Sequence, residues 1–87
     1  MTIQVNVLFF SVLRDLAGSD RTTVPLTVSD DAAATMGDLL AALYRTHPAL
    51  EKWDNSLLLA VNAEFATRDT LLNEGDEIAL MPPVQGG

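Results

Sequence analysis

The sequence has no cysteine. That absence excludes a disulfide scaffold, a thiolate metal centre and a cysteine nucleophile together. Histidine occurs once, as His47, so a metal site built from several imidazoles is excluded as well. Bases are scarce: five Lys and Arg stand against 12 Asp and Glu, giving a formal net charge of −7. A phosphate backbone would repel such a chain, so nucleic acid is not an expected partner. A protein partner should instead bring basic groups to the contact. Lys52 is the sole lysine, which makes the domain a poor acceptor for lysine-linked chains of itself. No apolar run approaches the length needed to span a bilayer, the longest clear one being "SLLLAV", so no membrane partner is expected. The opening "MTIQVNVLFF" carries neither a basic leader nor a small-residue cleavage site. It is expected to be a strand, and the expected location is the cytoplasm.

What is present describes one small domain of 87 residues, 48% hydrophobic and 20% charged, without repeats or low-complexity tracts. Ile3, Val5, Val7 and Phe9 alternate with Gln4, Asn6 and Leu8 at the period of a strand, and Phe10 falls on the opposite parity. "SVLRDLAG" predicts a short helix with Ser11 as its cap, Val12, Leu13 and Leu16 on one side, and Gly18 as a left-handed stop. "RTTVPLTV" predicts an edge strand with Val24, Leu26 and Val28 in phase, since Pro25 has no donor for a ladder. The main helix follows. Thr35 is its expected N-cap, Asp38 sits at the third helical position, and Met36, Leu39, Leu40 and Leu43 form its buried stripe. Arg45 and His47 lie near its end, and Pro48 stops it. "ALEKWDN" is expected as a short helical turn or loop, with Trp53 half-buried over the helix end. "SLLLAVN" predicts a buried central strand, "NAEF" a turn into a short return strand around Phe65, and Asn73–Asp76 a tight turn. Glu77–Met81 is the expected last strand, with Ile78 and Leu80 inward. The fold class is therefore α+β: a mixed sheet with one main helix packed on one face. The first and last strands are expected to lie parallel at its centre, as in the β-grasp (ubiquitin-like) fold. Residues 1–82 form this domain, and residues 83–87 a flexible diglycine tail.

That tail, "PPVQGG", is the most chemical part of the sequence. Pro82 and Pro83 forbid further pairing and start a stiff extended segment. Gly86 and Gly87 have no Cβ, so they form the narrowest peptide available and can enter a tight tunnel. The five residues from Pro83 span about 17 Å when extended. A glycine carboxylate is a poor electrophile until it becomes a mixed anhydride such as an acyl-adenylate, whose unhindered carbonyl can then be attacked by amines, thiols or persulfides. With no cysteine in the chain, any sulfur it carried would sit on that carbonyl as a thiocarboxylate. A frayed end rich in small residues is the plain alternative. Phe10, Phe65 and Met81 are apolar at positions expected to face outward near the base of the tail. Isolated exposed hydrophobes are common, and three that converge would form a partner patch.

"VLFFSVLRDLAG" (Val7–Gly18), "LLAVN" (Leu58–Asn62), "NEGDEIALMPPV" (Asn73–Val84) and the final "GG" together resemble the small subunit of molybdopterin synthase, a family of ubiquitin-like β-grasp sulfur carriers. The resemblance is collinear and covers most of the chain. Its most specific part is the "GDE" turn followed by a strand and "PPV-x-GG". It implies that a ubiquitin-activating-like adenylyltransferase uses ATP and Mg²⁺ to adenylate Gly87, with Gly86 beside it, and that a sulfurtransferase converts the terminus to a thiocarboxylate. It implies insertion of the tail into the large subunit, in a heterotetramer of two small and two large subunits. There the tail gives sulfur to cyclic pyranopterin monophosphate to form the molybdopterin dithiolene. The acid–base residues belong to the large subunit, so this chain is a co-substrate and binds no cofactor itself. Phe10, Phe65, Met81, Pro82, Pro83, Val84 and Gln85 are the expected partner contacts, with Gln85 where the family often has a small hydroxyl residue. Carriers for thiamine thiazole or tRNA thiolation, a lysine-linked protein modifier, and an interaction module with an inert tail remain the alternatives. Arg14, His47 and the acids Asp30, Asp31, Glu74, Asp76 and Glu77 are read as helix-end, turn and surface groups, since no nucleophile accompanies His47 and the acids lack the ligand count of a calcium site.

Overall fold

The computed structural model describes residues 1–29 and 32–83. In chain order the elements are β1 (Thr2–Phe9), α1 (Val12–Ala17), β2 (Arg21–Thr27), β3 (Ala34–Thr35), α2 (Met36–Thr46), a 3₁₀ helix (Pro48–Trp53), β4 (Leu58–Val61), β5 (Glu64–Ala66), β6 (Leu71–Leu72) and β7 (Glu77–Met81). Five strands form one mixed sheet in the order β2-β1-β7-β4-β5, and β3 pairs with β6 in a separate two-stranded ladder. The β1–β7 pair is parallel and central, as the sequence predicts. Among the described residues no helix is long and apolar enough to cross a membrane.

Period-2 alternation gives the sheet one buried face. Val5, Val7 and Ile78 are fully buried, with Phe9 and Leu80 nearly so. Helix α2 lies on that face because Met36, Leu39, Leu40 and Leu43 recur on one side of it, and all four are buried. Leu13 of α1 and Leu50 of the 3₁₀ helix, both buried, extend the same core. The α2 N-terminus is a full capping box. Thr35 Oγ1 accepts from the Asp38 N–H at 3.2 Å, and the Asp38 carboxylate accepts from the Thr35 N–H at 3.0 Å.

Strand β2 is an edge despite its β-branched content, and Pro25 fits there for a specific reason. The Phe9 N–H donates to Asp20 and the Val28 N–H to Met1, at 2.9 Å each. Even-numbered residues of β2 therefore carry the ladder to β1, and the donor that Pro25 lacks would have pointed to the free side.

Two expectations need correction. Ser11 precedes α1 but its side chain makes no capping bond, and its backbone sits at φ 56°, ψ −132°. The helix starts instead through main-chain turns, with the Leu13 N–H donating to Phe10 at 3.1 Å and the Arg14 N–H to Ser11 at 3.0 Å. Leu16 does not share the buried side of α1; it is exposed, while Leu13 is buried and Val12 and Ala17 pack against the core. Strand β4 is interior as expected, paired with β7 on one side and β5 on the other, and β1 and β4 flank the middle strand β7. Val28 keeps the inward phase of Val24 and Leu26 just beyond the end of β2 and packs half-buried against the core. Gly18 does act as the left-handed stop, at φ 81° with its N–H on Arg14.

The acids around the final turn hold the backbone. The Asp76 carboxylate accepts from the Asn73 N–H at 2.8 Å and from Asn62 Nδ2 at 3.0 Å, and Glu74 accepts from the Gln4 N–H at 3.1 Å. Asn62 Oδ1 in turn accepts from the Glu77 N–H at 2.9 Å, so the β4–β5 hairpin is tied to the start of β7.

Candidate functional site

The helices cover one face of the sheet, and the site lies on the other. Register places Leu8 beside Ala79, Ala79 beside Ala60, and Ala60 beside Phe65, a row that crosses β1, β7, β4 and β5. One step toward the C-terminal end of β7, Met81 pairs with Leu58, and the Phe10 N–H donates to Leu80 at 3.2 Å. Large side chains thus stand at the margins and alanines between them. Phe10, Phe65 and Met81 form the walls of one hollow, and Ala60, Ala63 and Ala79 its floor, around a volume of about 230 Å³. No lining residue is charged or polar. Phe65 is 82% exposed and Phe10 45%, whereas Met81 is only half-buried by its neighbours. The three aromatic and sulfur side chains singled out by parity are therefore brought together.

The surroundings are polar. Toward the β2 edge Leu8 stands opposite Arg21, the Thr23 hydroxyl donates to Asn6 Oδ1 at 3.1 Å, and Thr2 faces Thr27. At the foot of β7, Glu77 pairs with Asn6 on the same outer face. The hollow borders the last described residues directly, because Met81 is followed by Pro82 and Pro83, both half-buried. Val84, Gln85, Gly86 and Gly87 lie outside the described residues.

Sequence reasoning missed the floor. Ala60, Ala63 and Ala79 give no hydrophobic signal of their own, and only the strand register places them under the larger residues. It also missed a clasp on the opposite side of the molecule. The Tyr44 hydroxyl donates to the Asp54 carboxylate, which also pairs with Arg68 at 3.0 Å, while Arg68 reaches the Asp54 carbonyl as well. The Tyr44 hydroxyl bond holds the Asp54 carboxyl below the usual carboxylate range, with Arg68 acting in the same direction against partial burial. Burial, reinforced by Asp54, pushes the Tyr44 phenol up. The clasp joins the connection after β5 to the end of the 3₁₀ helix. His47 is occupied locally, with Nδ1 2.8 Å from the Thr46 hydroxyl and its ring 5.9 Å from that of Phe9. Among the described residues no cluster of three or more His, Asp or Glu could hold a metal ion.

A chain with this register, this hollow and this ending can be compared with known proteins. The model of the ThiS family matches residues 7–87. The chain belongs to that family. It is 37% identical over 87 residues to the molybdopterin synthase sulfur carrier subunit of Chlamydomonas reinhardtii, covering 98% of this chain and 100% of that one. Among solved structures, the small archaeal modifier protein 1 of Haloferax volcanii is 37% identical and superposes with a TM-score of 0.76, covering 94% of this chain and 99% of that one. The complex of subunits 1 and 2 of the molybdopterin-converting factor of Helicobacter pylori contains a chain 26% identical, at a TM-score of 0.65, covering 98% of this chain and 100% of that one. The fold is thus the ubiquitin-like β-grasp that the topology predicts.

Proposed function

We propose that the ThiS-family chain is the sulfur carrier of a molybdopterin synthase. The observation that carries the reading is the uncharged hollow at the root of the diglycine segment, in a chain similar over its whole length to such carriers. The hollow docks on the synthase large subunit through Phe10, Phe65 and Met81. Docking there directs Pro82, Pro83, Val84 and Gln85 along the partner and delivers Gly86 and Gly87 into its active site. A similar chain in complex with a second subunit supports this arrangement.

The chemistry belongs to Gly87. A ubiquitin-activating-like adenylyltransferase, using ATP and Mg²⁺, transfers AMP to the Gly87 carboxylate. The persulfide of a sulfurtransferase then attacks the adenylated carbonyl and expels AMP, and a thiol reductant cleaves the resulting acyl disulfide to leave a thiocarboxylate on Gly87. In the large subunit this sulfur passes to cyclic pyranopterin monophosphate, and two carriers serve each dithiolene. The folded chain contributes presentation: β7 fixes the starting point and direction of the tail, and the prolines lower the entropy lost on insertion.

The test is co-expression with the adenylyltransferase and a sulfur source, followed by intact mass spectrometry. One oxygen-to-sulfur exchange at Gly87 is expected, and deletion of Gly87 should abolish both the exchange and pterin conversion. Conversion by the truncated chain would overturn the reading. A second reading, protein modification, is favoured by the similarity to a small archaeal modifier. It requires an isopeptide between Gly87 and a target lysine, which tryptic digestion and mass spectrometry would reveal as a target peptide branched with residues 69–87, because Arg68 is the last tryptic site of the chain.

A further inference from the structure

Three non-glycine residues among those described have positive φ: Ser11, Asn62 and Ala63. Two of them frame the hollow. Ser11 directly follows Phe10, and Ala63 lies in the floor itself. Asn62 and Ala63 are the two turn residues of the β4–β5 hairpin, at φ 50° and 73°. A two-residue hairpin with this type I′ turn needs positive φ at both positions, and the usual solution is Asn followed by Gly. Asn62 tolerates this geometry, whereas Ala63 places a methyl group where glycine would be unstrained.

Such strain persists only where the surroundings impose it. Here they do. The Asn62 side chain is held between Asp76 and the Glu77 N–H, and its own N–H donates to the Glu77 carbonyl at 2.7 Å. The turn is fixed from β7, and the Ala63 methyl is fixed with it.

We propose that Ala63 is a positioning residue of the docking face, and that its strained methyl completes a seat for a single apolar side chain of the partner flanked by a basic group. The inference rests on the docking reading given above. A hollow of about 230 Å³ lies below the usual range for small-molecule sites, about 300–1,000 Å³, and suits one side chain. Its lining is entirely apolar, and Glu77, exposed on the same face and bonded to the hairpin through Asn62, is the nearest acid defined by register. A cation beside the apolar plug complements that acid and the −7 net charge of the chain.

The test is Ala63→Gly, with Phe65→Ala as the control for the docking face. The full chain of each variant is titrated against the cognate large subunit by calorimetry, and thermal unfolding is recorded separately. Relief of strain, less the entropy that glycine adds to the unfolded chain, should raise the Tm of Ala63→Gly by about 4 °C. Loss of the methyl should weaken binding by about fourfold or more. A more stable protein that binds less well is the outcome a purely structural turn would not give. If Phe65→Ala loses affinity while Ala63→Gly binds as well as wild type, the seat is refuted and the docking face stands. If the Tm of Ala63→Gly does not rise, the strain is refuted. If neither variant loses affinity, the docking face itself is wrong, and the seat falls with it.

Discussion

Truncating Phe65 to alanine separates the docking role proposed for this residue from any role in the fold. In the free chain Phe65 is 82% exposed, so most of its ring is already in water. A fully buried aromatic side chain removes about 150–250 Å² from solvent. At about 25 cal/mol per Å², the lower figure corresponds to about 4 kcal/mol on docking. Side-chain ordering and imperfect desolvation at the contact offset roughly half, which leaves about 2 kcal/mol for the truncation. The dissociation constant for the large subunit should therefore rise about 30-fold. The free protein should hardly notice. Only the cross-strand contact with Ala60 is lost, at a cost of about 0.5 kcal/mol or a few degrees in Tm. Isothermal titration against the large subunit gives the first number and differential scanning calorimetry the second. A dissociation constant within threefold of wild type, with unchanged Tm, would refute the reasoning from exposure and register. So would a Tm loss above about 10 °C, which would make Phe65 a residue of the fold.

Two further predictions concern stability. Thr35→Ala removes the hydroxyl from the capping box of α2, so the Asp38 N–H loses its acceptor; a loss of about 1 kcal/mol and a Tm lower by about 4–8 °C are expected by thermal denaturation. Tyr44→Phe removes the bond that most depresses the Asp54 carboxyl, and a loss of about 1 kcal/mol is expected from urea unfolding at pH 7. Because the folded pKa of Asp54 lies below its unfolded value near 3.9, the stabilisation is present above about pH 4 and fades as pH falls through the folded value. The gap between wild type and Tyr44→Phe should accordingly narrow in urea titrations at acidic pH; a constant gap would refute it. The raised Tyr44 phenol works at the other end, where stability is lost as pH rises above about 10.

The parts of the fold visible in the sequence are those set by periodicity and by local chemistry. Alternation assigned the faces of β1 and β7, the 3–1–3 spacing of Met36, Leu39, Leu40 and Leu43 assigned the buried side of α2, and Thr35 with Asp38 marked its start. What escaped depends on partners distant in sequence. The β3–β6 ladder has two residues on each side, too few to show a period. Tyr44, Asp54 and Arg68 come together only after α2 and the 3₁₀ helix are packed. Ser11 carries the side chain of a good cap, and nothing local reveals that its backbone leaves the side chain without an N–H to accept from. The site was half visible for the same reason. Parity picked out Phe10, Phe65 and Met81, while the alanine floor beneath them is a product of strand register.

The position of β7 has a mechanical consequence. It is bonded along both sides, to β1 in parallel and to β4 in antiparallel pairing. A tug on the chain beyond Pro83 therefore loads two rows of hydrogen bonds in shear, many at once, where an edge strand would peel one bond at a time. Force applied there would have to break many of these bonds together before the body behind could unzip.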